Sequence, residues 1–456
     1  MRRIAGIVIS LMICVVVAGL MPAAVDGQIF VTNTPQPTPF QFITNTPVGP
    51  TSTFTVTPTA TATNTATATP TATATSTFTP TATFTPSNTP SPTPTPNGPF
   101  IYPEGVNPLT GLPYPDEAAQ NRRTMIIKIS NYPPIVRPQT GVNSADVVFE
   151  MEAEGGVTRF AAFFRSVIPD SVGPVRSARL MDIELLTMYN AILAYSGTSE
   201  PIQQIILNSD FVFRAFSPLK GDNCDNAGFC REQSLLDAGV PLEHTMFLDP
   251  NVLYELATTR NVNVGFPGRG FAFSETVPPN GLPANDVYVD WFGQADARWQ
   301  YDPQSEQYFR WTDSVPHLDA ADGSQLFADN LVVLEVEHRD RPDLFPPDSN
   351  YQSLDIVLRG EDGEIGQGRA YLIRDGVFYQ GFWRRQNNEP GTAIQLIYGD
   401  NSPMLMQPGR TWVSVVRGLG NNVSISEEYT DMEAIGTQIA LTASPTPDPA
   451  AINTDG

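Results

Sequence analysis

Apolar and polar positions divide the chain into four textures. From Ile4 to Val25 nearly every position is apolar, behind Met1-Arg2-Arg3. Residues 28 to 97 are then seventy consecutive positions without a charged side chain, twenty-six of them Thr and thirteen Pro. No helical or alternating apolar period runs through them, so no buried face forms to offset the entropy of ordering the chain. Pro at short intervals biases such a backbone toward extended polyproline II, about 3.1 Å per residue, a spacer of up to roughly 200 Å. Segment 28–97 is predicted to be a disordered stalk.

Beyond Gly98 periodic runs appear. TMIIKIS (124–130), ADVVFEM (145–151), VTRFAAFFRSVI (157–168) and AILAY (191–195) are rich in β-branched and aromatic residues, with Gly, Pro or Asn near several of their ends, which predicts strands. Helices alternate with them. ARLMDIELLTMY, after Ser177, is apolar nearly all round and predicts a helix buried on most sides, capped near Ser177. Ser199 before Glu200-Pro201, and Asp249 before Pro250, carry the cap and first-turn chemistry of two more helices. Together these predict a mixed α/β domain over 98–280. After PPNGLPAND, short aromatic runs such as VYVDWF, ARWQYD, EQYFRW and TWVSVV follow one another with turn residues between them, and all five Trp lie there. That texture predicts a β-rich domain, a sandwich or open barrel, over 281–441. The fold class read from the pattern is α+β, followed by a disordered tail over 442–456.

Composition narrows the setting. Against 48 Asp plus Glu stand 26 Lys plus Arg, a formal charge of −22, which disfavours non-specific binding to nucleic acid or anionic lipid. No nucleic-acid partner is expected. Two basic residues before an apolar stretch describe an export signal, and the stretch is about as long as a bilayer requires. Small residues near Ala23, Ala24 and Gly27 suit cleavage, so segment 1–27 is read as a signal peptide or an uncleaved membrane anchor. Cys14 follows Met12-Ile13 and lacks the small residue that lipid attachment wants before it. Either way the head is placed outside the cytoplasm, anchored or secreted. Cys224 and Cys230, six apart in a Gly- and Asn-rich loop, are expected to form a local disulfide in that compartment. A calcium loop starting at Asp222 fails, because Cys224 and Ala227 occupy positions that need Asp or Asn and Gly.

The candidate chemistry is Arg-rich. In Gly173-Pro-Val-Arg176-Ser177-Ala-Arg179 a Gly-Pro turn delivers two Arg to the start of a buried helix. Helix N-termini present free N–H groups and positive potential, and Arg adds a planar fork for carboxylate or phosphate. Arg137 and Arg159 sit near turns at strand ends, where α/β sheets place ligands. Arg137, Arg159, Arg176, Ser177 and Arg179 are therefore the candidate ligand-binding residues. The competing reading is internal pairing, with Asp182, Glu150, Glu152 and Glu154 as partners. Ser196 lacks the flanking Gly of a nucleophile elbow. His244, His317 and His338 show no metal-ligand spacing, and His317 with Asp319 reads as a loop hydrogen bond before it reads as a catalytic pair. No metal and no cofactor are expected, and no catalytic residue is assigned.

EGVNPLTGLP (104–113), the stretch MIIKISNYPPIVRPQTG through EGGVTRFAAFF (125–164), GPVRSAR (173–179) and YNAILAYSGTSE resemble the YerB-like bacterial lipoproteins, a family of unknown function with N- and C-terminal parts. EQYFRWTDSVPHLDAADGSQLFADNLVVLEV (306–336), GQGRAYLIRDGVFYQGFWRR and LMQPGRTWVSVV resemble the C-terminal part. The resemblance implies an envelope location and a two-part head; it supplies no catalytic residues. The long stalk and the missing lipid-attachment pattern depart from it. The expectation that follows is an envelope protein binding an anionic ligand, whether wall glycan, phosphate-bearing polymer or a partner protein's carboxylate. Two other classes remain open: an enzyme on such a substrate, with Asp182 or Glu152 as base, and a structural head that docks an envelope partner through its Trp-rich part.

Overall fold

The computed structural model describes residues 97–291, 295–344, 353–361 and 364–435. The N-terminal segment, residues 28–96 of the expected stalk and the tail lie outside the described residues, while Asn97, expected to end the stalk, pairs with Phe273. Among the described residues, strand-like runs from both sequence halves pair into one large sheet, and further runs of the second half form a second sheet. The first half holds β1 (Met125–Ser130), β2 (Val147–Ala153), β3 (Val157–Phe164), β4 (Ile192–Ala194) and β5 (Ala215–Phe216). The second half holds β6 (Asp286–Val289), β7 (Ala297–Asp302), β8 (Gln307–Thr312), β9 (Asn330–Glu335), β10 (Gly366–Arg374), β11 (Val377–Arg385), β12 (Gln395–Ile397), β13 (Thr411–Val416) and β14 (Val423–Ser426). An eleven-stranded sheet runs β12-β11-β10-β9-β13-β2-β3-β1-β4-β5, with Leu282–Pro283 pairing on β11. β13 lies parallel to both neighbours, Thr411 opposite Asn330 on one side and Val147 on the other. Strands on both sides of residue 280 thus share one hydrogen-bonded layer, and the fold is α+β.

Alternation explains why these runs read as continuously apolar. Successive side chains in a strand point to opposite faces, and here both faces are covered. α1 (Glu117–Asn121) precedes β1; Ile126, Phe149, Ala161, Phe163 and Val413 face one core with α2 (Leu180–Met188) and α3 (Glu200–Leu207). Ile127, Val148, Phe160, Ala162 and Trp412 face the other, under α4 (Pro250–Thr259) and a six-stranded sheet built on β8-β7-β6-β14.

Two local expectations shift. α2 begins at Leu180, with Arg179 and not Ser177 in the cap position, because Asp182 Oδ2 takes the Arg179 N–H at 2.6 Å. The run 157–168 ends its pairing at Phe164, where the Arg165 and Ser166 N–H groups turn to Asp146 Oδ2 at 2.8 and 2.9 Å. Asp249 caps α4 as expected, accepting from Asn251 and Val252. Ser199 stands at the cap of α3, yet its buried hydroxyl has no partner. No helix among the described residues is long and apolar enough to cross a membrane.

Candidate functional site

The parity of β3 sends Arg159 to the α2 face, beside the segment that precedes the helix. That segment is pinned on two sides. Ser130 N–H donates to Pro174 O and Arg176 N–H to Lys128 O, at 2.9 and 2.8 Å, while Ser196 N–H donates to Arg176 O and Ala178 N–H to Gly197 O. Arg159, Arg176 and Arg179 are thereby brought around Ser177. The Ser177 carbonyl accepts from Arg159 Nη1 at 3.0 Å and from Arg179 Nη1 at 3.5 Å. Arg179 Nε also pairs with Glu154. No other carboxylate reaches this trio at ion-pair distance among the described residues.

The electrostatics follow from that shortage. Arg159 is 9% exposed, and burial first, then the like charges of Arg179 and Arg176, hold its pKa well below the ordinary value. Half-buried Arg176 makes no side-chain hydrogen bond or ion pair among the described residues; burial lowers its pKa, Glu243 opposes that and Arg179 adds to it. Nearby His244 is pushed down to about 4 by burial and then by Arg176, so it is neutral at pH 7. Beneath the trio, fully buried Lys128 bonds Asp182 Oδ1 at 2.8 Å and touches Met151 Sδ at 3.1 Å.

Of the four carboxylates offered as internal partners, Glu154 does pair with Arg179, while the other three are engaged elsewhere. Glu150 is bidentate with Arg310, and Glu152 is bidentate with Arg417. Asp182 is closed off by Lys128. The two bases considered for an enzyme reading are therefore both tied in ion pairs. Arg137 does not join the trio. Its Nη1 pairs with Asp313 at 2.7 Å, its Nε donates to Asn131 O at 3.1 Å, and its Nη2 is buried without a partner beside a cleft of about 380 Å³ that also reaches His317. His317 and Asp319 do not pair: the imidazole bonds Gln139 and Thr312, while Asp319 takes the Gly141 and Asn143 N–H groups. Cys224 and Cys230 form the expected disulfide. No three His, Cys, Asp or Glu converge as a metal site requires among the described residues.

Pattern reasoning missed Lys128 and Arg310. A charged residue inside a strand buried on both faces was the available signal, since an unpaired buried charge is not tolerated. Both Lys128 in MIIKIS and Glu150 in VVFEMEA carried it.

Residues 109–263 match the N-terminal domain, and residues 287–413 the C-terminal domain, of a family described as a protein of unknown function (DUF3048). A protein of Bacillus subtilis (strain 168) named "Putative lipoprotein YerB" is 27% identical over 319 residues, covering 68% of this chain and 86% of that protein. The crystal structure of YerB from Bacillus subtilis is similar at a TM-score of 0.58 and 25% identity, over 70% of this chain and 99% of that one.

Proposed function

The chain belongs to the DUF3048 family of YerB-like proteins, and from that premise we propose that it works in the cell envelope, outside the cytoplasm, binding an anionic ligand through Arg159, Arg176 and Arg179. The lipoprotein named among its relatives and the apolar segment behind Arg2-Arg3 support the location. One observation carries the binding reading: Arg159 and Arg179 both reach the Ser177 carbonyl, Arg176 lies near enough to lower the Arg159 pKa, and a single carboxylate, Glu154, stands at ion-pair distance, in a chain of formal charge −22. In so acidic a protein, like charges gathered at a partly buried place are held against their mutual repulsion. A phosphate or carboxylate group would supply the missing acceptors, and Arg forks suit both. Wall glycans, phosphate-bearing polymers and partner-protein carboxylates all present that chemistry.

Titration with inorganic phosphate, followed by thermal shift and by NMR of the Arg side chains, tests this. Wild type is expected to bind, and Arg176→Ala to weaken binding by about tenfold or more. The same variant should change stability by no more than about 0.5 kcal/mol, because a ligand-facing Arg packs only through its stem. No phosphate response by wild type, or a loss of about 3–5 kcal/mol in the variant, makes Arg176 a structural residue.

A further inference from the structure

We infer that a second cleft, formed by Tyr102, Tyr114, Phe266, Arg165 and Arg269, binds an acidic saccharide. Six residues of extended chain separate Arg159 from Arg165, so this cleft lies about 20 Å along β3 from the Arg trio. Its volume is about 430 Å³, room for a disaccharide.

The walls are aromatic and fixed. Tyr102 Oη donates to Phe271 O at 2.5 Å, with Pro99 O next nearest at 3.1 Å. The Tyr114 ring lies 5.4 Å from the Arg165 guanidinium carbon. Phe266 is 59% exposed, and a side chain on Gly391 would come within 2.4 Å of its ring, so the ring rests on bare backbone. An exposed aromatic ring backed by glycine offers an apolar face. Sugar rings present such a face for stacking, edged with hydroxyls.

The charge points to the acid. Arg165 is fully buried and tied to Gly265 O at 3.2 Å and Gln120 O at 2.5 Å, with its Nε unpartnered. Its charge also faces buried Asp146, so it serves as a wall more than as a source of field. Exposed Arg269, whose Nη1 donates to Phe100 O at 3.1 Å, has no ion pair among the described residues and is the group that meets a carboxylate. The side chains of Glu104, Gln120 and Asn121 at the lip make no hydrogen bonds within the described residues and stand ready for hydroxyls.

Calorimetric titration of the full chain decides it, using the disaccharide N-acetylglucosaminyl-N-acetylmuramic acid, which bears a lactyl carboxylate, and neutral di-N-acetylchitobiose. The acidic sugar is expected to bind at least about tenfold more tightly than the neutral one. Phe266→Ala and Arg269→Ala should each weaken it by about tenfold or more, and Phe213→Ala, at an exposed aromatic elsewhere, should leave it unchanged. Both target side chains are exposed, so circular dichroism and melting should match wild type. Absence of binding, equal affinity for the two sugars, or indifference to either substitution in the cleft overturns the inference.

Discussion

Glu150 gathers a dense set of buried polar contacts. It accepts from Arg310 Nη1 and Nη2 at 2.8 and 3.0 Å, Trp412 Nε1 at 3.1 Å, Thr158 Oγ1 at 3.0 Å and Asn131 Nδ2 at 3.3 Å, with both ends of the ion pair fully buried. Arg310 is ringed by Phe160, Trp299 and Trp412 at 5.5, 5.2 and 4.7 Å. Arg310→Ala strands the carboxylate, and urea denaturation should register a loss of about 3–5 kcal/mol. The double variant Glu150→Met with Arg310→Met removes both charges and should recover most of that loss. His244 gives the pH counterpart. Its folded pKa of about 4 lies below the ordinary 6.5, so between those values the unfolded chain binds the extra proton and stability falls as pH falls. Relative to His244→Asn, wild type should lose up to about 3 kcal/mol between pH 6.5 and 4, and nothing above that window. At this scale the sequence was half legible. Glu150 inside an apolar strand announced a buried partner, but nothing in EQYFRWT, 160 positions later, identified Arg310. The Gly-Pro turn and the helix pattern placed Arg176 and Arg179 together, whereas Arg137 was separated by contacts no local pattern encodes.

Elements were read more surely than their ends. The strands were legible because a run buried on both faces stays apolar throughout, and α2 because it is apolar nearly all round. Its start moved three residues past Ser177, since a carboxylate one turn in, Asp182, does the capping. The disulfide loop shows local chemistry prevailing: Asn223 caps the short helix Cys224–Ala227, and Gly228 closes it at φ 74°. Cys224→Ser with Cys230→Ser should lower stability by about 2 kcal/mol on the chain-entropy argument, read from denaturant midpoints. The lead-in to the head is also ordered by pairing. Asn97 exchanges backbone hydrogen bonds with Phe273, and Tyr102 anchors to Phe271. A chain shortened to begin at residue 97 should melt as the full chain does, while one beginning at residue 110 should melt lower, by about 2 °C for each kcal/mol lost in a head of this size.

At the scale of the whole molecule, the change of texture near residue 280 was legible and the way the two halves join was not. Period-two runs say that strands exist; which strand neighbours which depends on contacts between residues hundreds of positions apart. β13, Thr411–Val416, enters between β2 and β9, parallel to both. Residues 97–280 and 281–435 produced separately should therefore each lack a cooperative thermal transition, and calorimetry of the two pieces would show it. The central position of so late a strand also acts as a test of completeness. Every copy cut short before Thr411 leaves β2 and β9 with open backbone edges at the middle of the sheet, the kind of edge that proteases and aggregation exploit. Only a chain synthesised and delivered nearly to its end can close that gap, so the topology itself sorts finished heads from unfinished ones.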